Sequence, residues 1–175
     1  MTYDGRYFGA FSEVAMQPPS RQPGGPPIWC GGRADAALGR AGRLADGWIS
    51  YVVTPETYRA ALTKIAAAAA AAGRGLARFG TGHLLFTRLD DSYERALDAA
   101  AASLSRRYAM DFRRPAERYA ALGRPEQLAA RIRAFHEAGA RHLVLDFVGP
   151  YEERPQQIEA FARDVLPLLA DLRGM

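Results

Sequence analysis

Near-continuous apolar segments alternate along the chain with longer stretches in which apolar residues recur every three or four positions. Four apolar segments read as strands: 28–30, 47–53, 80–89 around Leu84-Leu85-Phe86, and 142–148. The stretches between them read as helices. The first covers about 34–44. The second opens at Thr54-Pro55-Glu56, with Thr54 as N-cap and Pro55 at the first helical position, and runs through the alanines to Gly73. A third spans about 91–108, and Arg113-Arg114-Pro115 reads as irregular. Gly123-Arg124-Pro125-Glu126 opens the next helix, with Leu128, Ile132 and Phe135 on one face and Gly139 at its end. The last covers 155–172, with Ile158, Phe161, Val165, Leu168 and Leu169 predicted to share a face.

Strands buried on both sides, each followed by a helix, imply a parallel sheet covered by helices. Four such units fit either an open doubly wound sheet or part of a (β/α)8 barrel. Residues 1–27 differ from the rest, with Pro18-Pro19 and Pro23-Gly24-Gly25-Pro26-Pro27 interrupting any regular element. They are expected to form an N-terminal arm, and 28–175 the folded domain.

Composition narrows the partners. The 175 residues are 49% apolar and 24% charged, ordinary for one globular domain with a core. No run approaches the roughly 20 apolar residues of a membrane span, and Met1-Thr2-Tyr3-Asp4-Gly5-Arg6 lacks a signal-peptide pattern. The single cysteine, Cys30, fits a reducing cytoplasm. The net charge of +4 comes with basic residues that are all arginine except Lys64. Arg106-Arg107 and Arg113-Arg114 lack the aromatic interleaving of a nucleic-acid surface, so neither nucleic acid nor membrane is expected as a partner.

The densest chemical signal is Pro26-Pro27-Ile28-Trp29-Cys30-Gly31-Gly32, leading at once into Arg33 and a helix. Two residues without Cβ let backbone N–H groups approach a ligand, and a helix start adds unpaired donors and partial positive charge. Together they form a candidate phosphate turn, with Arg33 as an added cation. It is neither the dinucleotide fingerprint nor a P-loop. Asp46-Gly47-Trp48 enters the second strand and reads in two ways. Either it lies beside a planar cofactor, or Trp48 is a core aromatic and Asp46 pairs with Arg40 or Arg43. Gly39 and Gly42 inside a helix imply close packing rather than a ligand role. His83, His136 and His142 are too widely spaced for a metal site, and His136 is expected to be exposed. Asp146 lies near the end of its strand, where it faces a site or forms a buried ion pair. No residue can be named as catalytic.

Taken in order, several segments resemble the luciferase-like monooxygenase family, whose members use FMN or the deazaflavin coenzyme F-420. They are Asp4-Gly5-Arg6-Tyr7-Phe8, the Pro26–Gly32 run, Ala37–Ile49, Thr54-Pro55-Glu56, Ala72-Gly73-Arg74, Gly123-Arg124-Pro125-Glu126, Ala138-Gly139-Ala140 and Val165-Leu166-Pro167. The resemblance implies four parallel βα units forming the C-terminal half of a TIM (β/α)8 barrel. It also implies a flavin- or deazaflavin-dependent oxidoreductase or monooxygenase acting on a small organic substrate. Gly31, Gly32 and Arg33 would hold the cofactor phosphate, with Asp46, Gly47 and Trp48 nearby.

A half barrel leaves strand edges and an inner face without partners. Self-association, or pairing with a separate N-terminal half, is therefore expected. The alternative readings are a non-catalytic cofactor-binding or assembly module, and an inactive remnant.

Overall fold

The computed structural model describes residues 2–15 and 17–172. Met1, Met16 and 173–175, which fall in the expected arm and domain, lie outside the described residues. Elements follow in the order β1 (Trp29–Cys30), α1 (Asp35–Leu44), β2 (Gly47–Tyr51), α2 (Pro55–Ala71), β3 (Gly80–Leu89) and α3 (Tyr93–Tyr108). After these come α4 (Arg113–Tyr119), β4 (Ala121–Gly123), α5 (Pro125–Glu137), β5 (His142–Phe147) and α6 (Arg154–Ala160). Over residues 2–15 and 17–27 the sole strand-like contact is an antiparallel bridge between Tyr3 and Phe11.

Side-chain caps explain two of the helix starts. Thr54 Oγ1 accepts from the Thr57 N–H at 3.3 Å, and Ser92 Oγ accepts from Arg95 at 3.4 Å. Such caps contribute about 1 kcal/mol each. At α5, the Gln127 side chain reaches back to the Arg124 N–H at 2.9 Å.

All strand pairings are parallel. β3 is the organising strand. β2 pairs with its residues 80–84, and β5 with its residues 82–87. These registers overlap, so β2 and β5 occupy opposite edges. β4 pairs with 87–89 and shares Thr87 with β5, which places β4 on the β2 edge, beyond the end of β2. Setting short β4 aside, the spatial order β1-β2-β3-β5 is the chain order. A doubly wound sheet reverses direction at a switch point, whereas a barrel advances one strand at a time. The fold is therefore an arc of parallel βα units of the barrel type.

The two faces of this arc differ. On one, Trp48, His83 and Leu85 are buried against Tyr58 and Ile65 of α2 and Leu128 and Phe135 of α5. On the other, Trp29 lies flat across Gly47, Gly80 and Gly82, each of which would place a Cβ 2.8 Å or less from the indole. Its ring reaches His142 on β5 at 5.4 Å. Further along this face α3 and α4 cover Phe86 with Leu97, Leu104 and Phe112. Between the Trp29 floor and the α3–α4 roof, Tyr51 is 43% and Val144 48% exposed.

Three local expectations are corrected. The segment read as irregular contains α4, because Pro115 falls in the first helical turn, where no N–H has an intrahelical partner to lose. β4 was not anticipated at all; its three residues are buried against β3. The last helical run does not keep one apolar face. It widens to a π turn over Phe161–Val165 and tightens to 3-10 geometry over Leu166–Leu172, which rotates the stripe. Phe161, Val165 and Leu169 are buried, while Ile158 and Leu168 are exposed.

Candidate active site

The C-terminal edge of the arc gathers the candidate chemistry. β1 ends at Cys30, and Gly31-Gly32-Arg33 carries the chain to α1. Gly32 has φ +99°, and a Cβ there would stand 2.8 Å from the Ala37 Cβ, so the turn is shaped for glycine at this position. Gly31 is under no such constraint, its nearest neighbour being the Ile49 carbonyl oxygen at 3.8 Å. Ala34, the N-cap of α1, supplies no side-chain cap; the Ala37 N–H donates back to the Ala34 carbonyl at 2.8 Å, which leaves the Asp35 and Ala36 N–H groups open among the described residues. Asp35 in that first turn is neutralised by Lys64 at 2.6 Å.

Trp48 is fully buried and packs on Tyr58 with ring centroids 5.1 Å apart. Its indole N–H donates to the Gly32 carbonyl at 2.9 Å. In a trans peptide, the carbonyl and the next N–H point in opposite directions. Holding the Gly32 carbonyl inward therefore turns the Arg33 N–H away from the core. Trp48 acts on the turn from beneath, and its ring offers no exposed face.

Arg33 is exposed and extends from the turn. One Nη donates to the Val52 carbonyl at 2.8 Å, and the guanidinium lies 5.6 Å from the Tyr51 ring centroid. It forms one wall of a cup of about 270 Å3, with Tyr51, Tyr108, Met110, Phe112 and Tyr119 among the others. Tyr108 and Phe112 stack at 4.9 Å. Val52 has φ +54°, a left-handed conformation that a β-branched side chain rarely adopts. The sequence reading passed over this cup. Its one available signal was the aromatic spacing of Tyr108, Phe112 and Tyr119, which spans the segment read as irregular.

The structure does not bring Asp46 and Gly47 to this edge. They lie at the opposite, N-terminal end of β2. Asp46 Oδ2 accepts from the Ile28 N–H at 2.8 Å and Oδ1 lies 3.7 Å from an Arg74 Nη, so the ion-pair partner is Arg74 rather than Arg40 or Arg43. Gly47 lies beneath Trp29. Gly42 is explained by packing, since a Cβ would meet the Ile65 carbonyl at 2.3 Å where α1 crosses α2.

The remaining candidates stand apart from the edge turn. His83 is buried on the helix-covered face, with Nδ1 2.8 Å from Ser50 Oγ and its ring stacked 4.0 Å from Phe135. Burial, reinforced by the Arg131 charge, lowers its pKa to about 4. His136 is half-buried in the last turn of α5 rather than exposed. Asp146 lies on the open face and pairs with Arg107, with Arg154 at 3.9 Å. Among the described residues, no three His, Cys, Asp or Glu side chains gather as metal ligands, and no helix is long and apolar enough to cross a membrane.

Comparison with known proteins bears on the family and the fold. The sequence profile of the luciferase-like monooxygenases matches residues 1–142. An F-420-dependent secondary alcohol dehydrogenase, solved with an F-420–acetone adduct, superimposes with a TM-score of 0.80 at 17% identity, covering 96% of this chain and 56% of that one. A monooxygenase from Streptomyces bottropensis gives 0.75 at 23%, covering 95% and 55%. A riboflavin lyase holding modified FMN and riboflavin gives 0.64 at 16%, covering 98% and 48%. At these identities the likeness is one of fold, and the chain spans about half the length of each protein.

Proposed function

From the premise that the chain belongs to the luciferase-like monooxygenase family, we propose that it supplies the C-terminal βα units of a flavin- or deazaflavin-dependent oxidoreductase. In this reading the Gly31-Gly32-Arg33 turn holds the phosphate end of FMN or coenzyme F-420. The observation that carries the reading is the turn itself. A glycine at φ +99° opens onto an uncapped helix start, and a buried indole fixes its carbonyl inward. These residues fit a phosphate group: the small turn admits its oxygens, and the outward Arg33 N–H and the N–H groups that open α1 supply donors, while the Arg33 guanidinium is held at the Val52 carbonyl. The bound cofactor provides the redox chemistry, for which the protein side chains have no equivalent. The chain's own part is to anchor and orient. Trp48 keeps the Arg33 N–H outward, Lys64 offsets the Asp35 charge, and the C-terminal edge of the arc presents the turn to the substrate side.

The open face favours a companion reading, in which activity requires association. Among the described residues β1 and β5 each have an unpaired edge, and Tyr51 and Val144 between them are about half exposed. A second copy of the chain, or a complementary N-terminal half, would pair these edges and bury that face. A reducing, cytoplasmic setting is part of this reading, supported by a single cysteine, Cys30.

Fluorescence titration with FMN and with coenzyme F-420 tests the phosphate turn. Gly31 has room for a side chain, so Gly31→Asp adds a carboxylate without strain. It is expected to weaken cofactor binding at least about tenfold, equivalent to about 1.4 kcal/mol. An unchanged Kd, or no binding of either cofactor at millimolar concentration, refutes the assignment.

A further inference from the structure

We propose that the cup beside Arg33 binds a planar aromatic carboxylate as the small organic substrate. Three features of the cup select this class. Its walls are largely rings, contributed by Tyr51, Tyr108, Phe112 and Tyr119, so flat ligands gain stacking and edge contacts that saturated ones do not. Its volume of about 270 Å3 lies just below the usual range for drug-sized pockets, which suits one or two fused rings. Its charge is positive and uncompensated. The Asp35 carboxylate, two residues from Arg33 in sequence, is engaged by Lys64, and Arg33 has no carboxylate partner among the described residues. One Nη of Arg33 is tied to the Val52 carbonyl, which leaves further N–H donors of the planar fork for a bidentate acceptor.

The backbone beneath the cup gives an independent indication. Val52 is held at φ +54° at the end of β2. Strain of this kind persists where surrounding structure over-determines it, and it concentrates at ligand sites. Here the strained residue supplies the carbonyl that ties down Arg33, so the distortion fixes the cation at the rim of the cup. Ala109, at φ +53°, ends α3 and turns the chain so that Tyr108 and Met110 both line the cup.

The role of this ligand as substrate rests on the oxidoreductase reading above; its binding does not. The test therefore omits the cofactor at first. The full chain is titrated with 2-naphthoate, with the neutral isostere 2-naphthamide, and with the saturated decahydro-2-naphthoate, by saturation-transfer NMR and calorimetry. Naphthoate is expected to bind with a Kd on the order of 1 mM or tighter, and the other two about tenfold more weakly. Arg33→Gln removes the preference for naphthoate over naphthamide. Met110→Glu, at an exposed position that does not threaten folding, weakens naphthoate and spares naphthamide. Equal binding of the three probes overturns the proposal, as does binding indifferent to both substitutions or the absence of saturable binding. Adding FMN or coenzyme F-420 then separates the two claims. Displacement of naphthoate by cofactor assigns the cup to the cofactor ring and overturns the substrate role. Failure of either cofactor to bind, with naphthoate selectivity intact, refutes the phosphate turn alone.

Discussion

The two faces of the parallel sheet are built from the same strands, yet one is finished and the other is not. On the helix-covered face, residues from α1, α2, α5 and the last helical run close over Trp48, His83 and Leu85 and leave them buried. On the other face Trp29 seals the N-terminal end, α3 and α4 seal the C-terminal end, and Tyr51 and Val144 stay half exposed between them. The contrast separates two tasks. The covered face sets stability and shapes the Gly31-Gly32 turn from below, through Trp48. The open face carries the side chains that a completed barrel would enclose, and the aromatic cup lies at its rim.

The sharpest way to break this comparison is to remove Trp48. Trp48→Ala deletes a fully buried indole and is expected to cost about 3–5 kcal/mol in urea unfolding. Because the Gly32 carbonyl loses its donor at the same time, cofactor binding should fall even where the folded form is restored by lower temperature. A loss below about 1 kcal/mol would mean that the covered face does not carry the stability assigned to it.

A smaller effect comes from protons. The His83 pKa in the folded chain is lowered to about 4, by burial first and by the Arg131 charge second, against about 6.5 for an unperturbed histidine. Between these values the unfolded chain binds the extra proton. Stability from this residue is therefore complete above pH 6.5 and declines as pH falls toward 4, by about 3 kcal/mol in total at about 1.4 kcal/mol per unit. Urea midpoints measured from pH 7.5 to 4 should show the slope. His83→Gln should flatten it, whereas Trp48→Ala should keep it. A slope that survives His83→Gln would assign the titration to another group.

The elements of the covered face were largely legible in the sequence, and the reasons are local. Continuous apolar runs marked β2, β3 and β5, Thr54-Pro55 marked the start of α2, and Gly73 at φ +66° marked its end. What escaped depends on contacts between distant residues. Period-two alternation in β2 is apolar on both faces, so it does not say which side Trp48 takes or that its N–H seeks Gly32. Nor does it disclose that Gly47, Gly80 and Gly82 are small because Trp29 crosses them. α4 was hidden by a proline in a harmless position, and β4 by its length of three residues. The Gly31-Gly32 turn was visible as a motif. The cup beside it was not, because it joins β2 to a segment with no clear periodicity.

The smallest expected effect tests the open face. Val144 lies in register with Leu84 of β3 and is 48% exposed, so little apolar surface is lost when it is shortened. Val144→Ala should cost about 0.5 kcal/mol in the isolated chain, well below the roughly 1 kcal/mol centre of ordinary substitutions. If a second copy or a complementary half covers this face, the same change removes methyl groups from a buried contact. The loss then rises toward 1.5 kcal/mol and appears in the association constant rather than in unfolding of the single chain. Urea unfolding at low and high protein concentration, together with sedimentation equilibrium, distinguishes the two. A large loss at low concentration, where only single chains are present, would mean that the open face is already closed within one molecule.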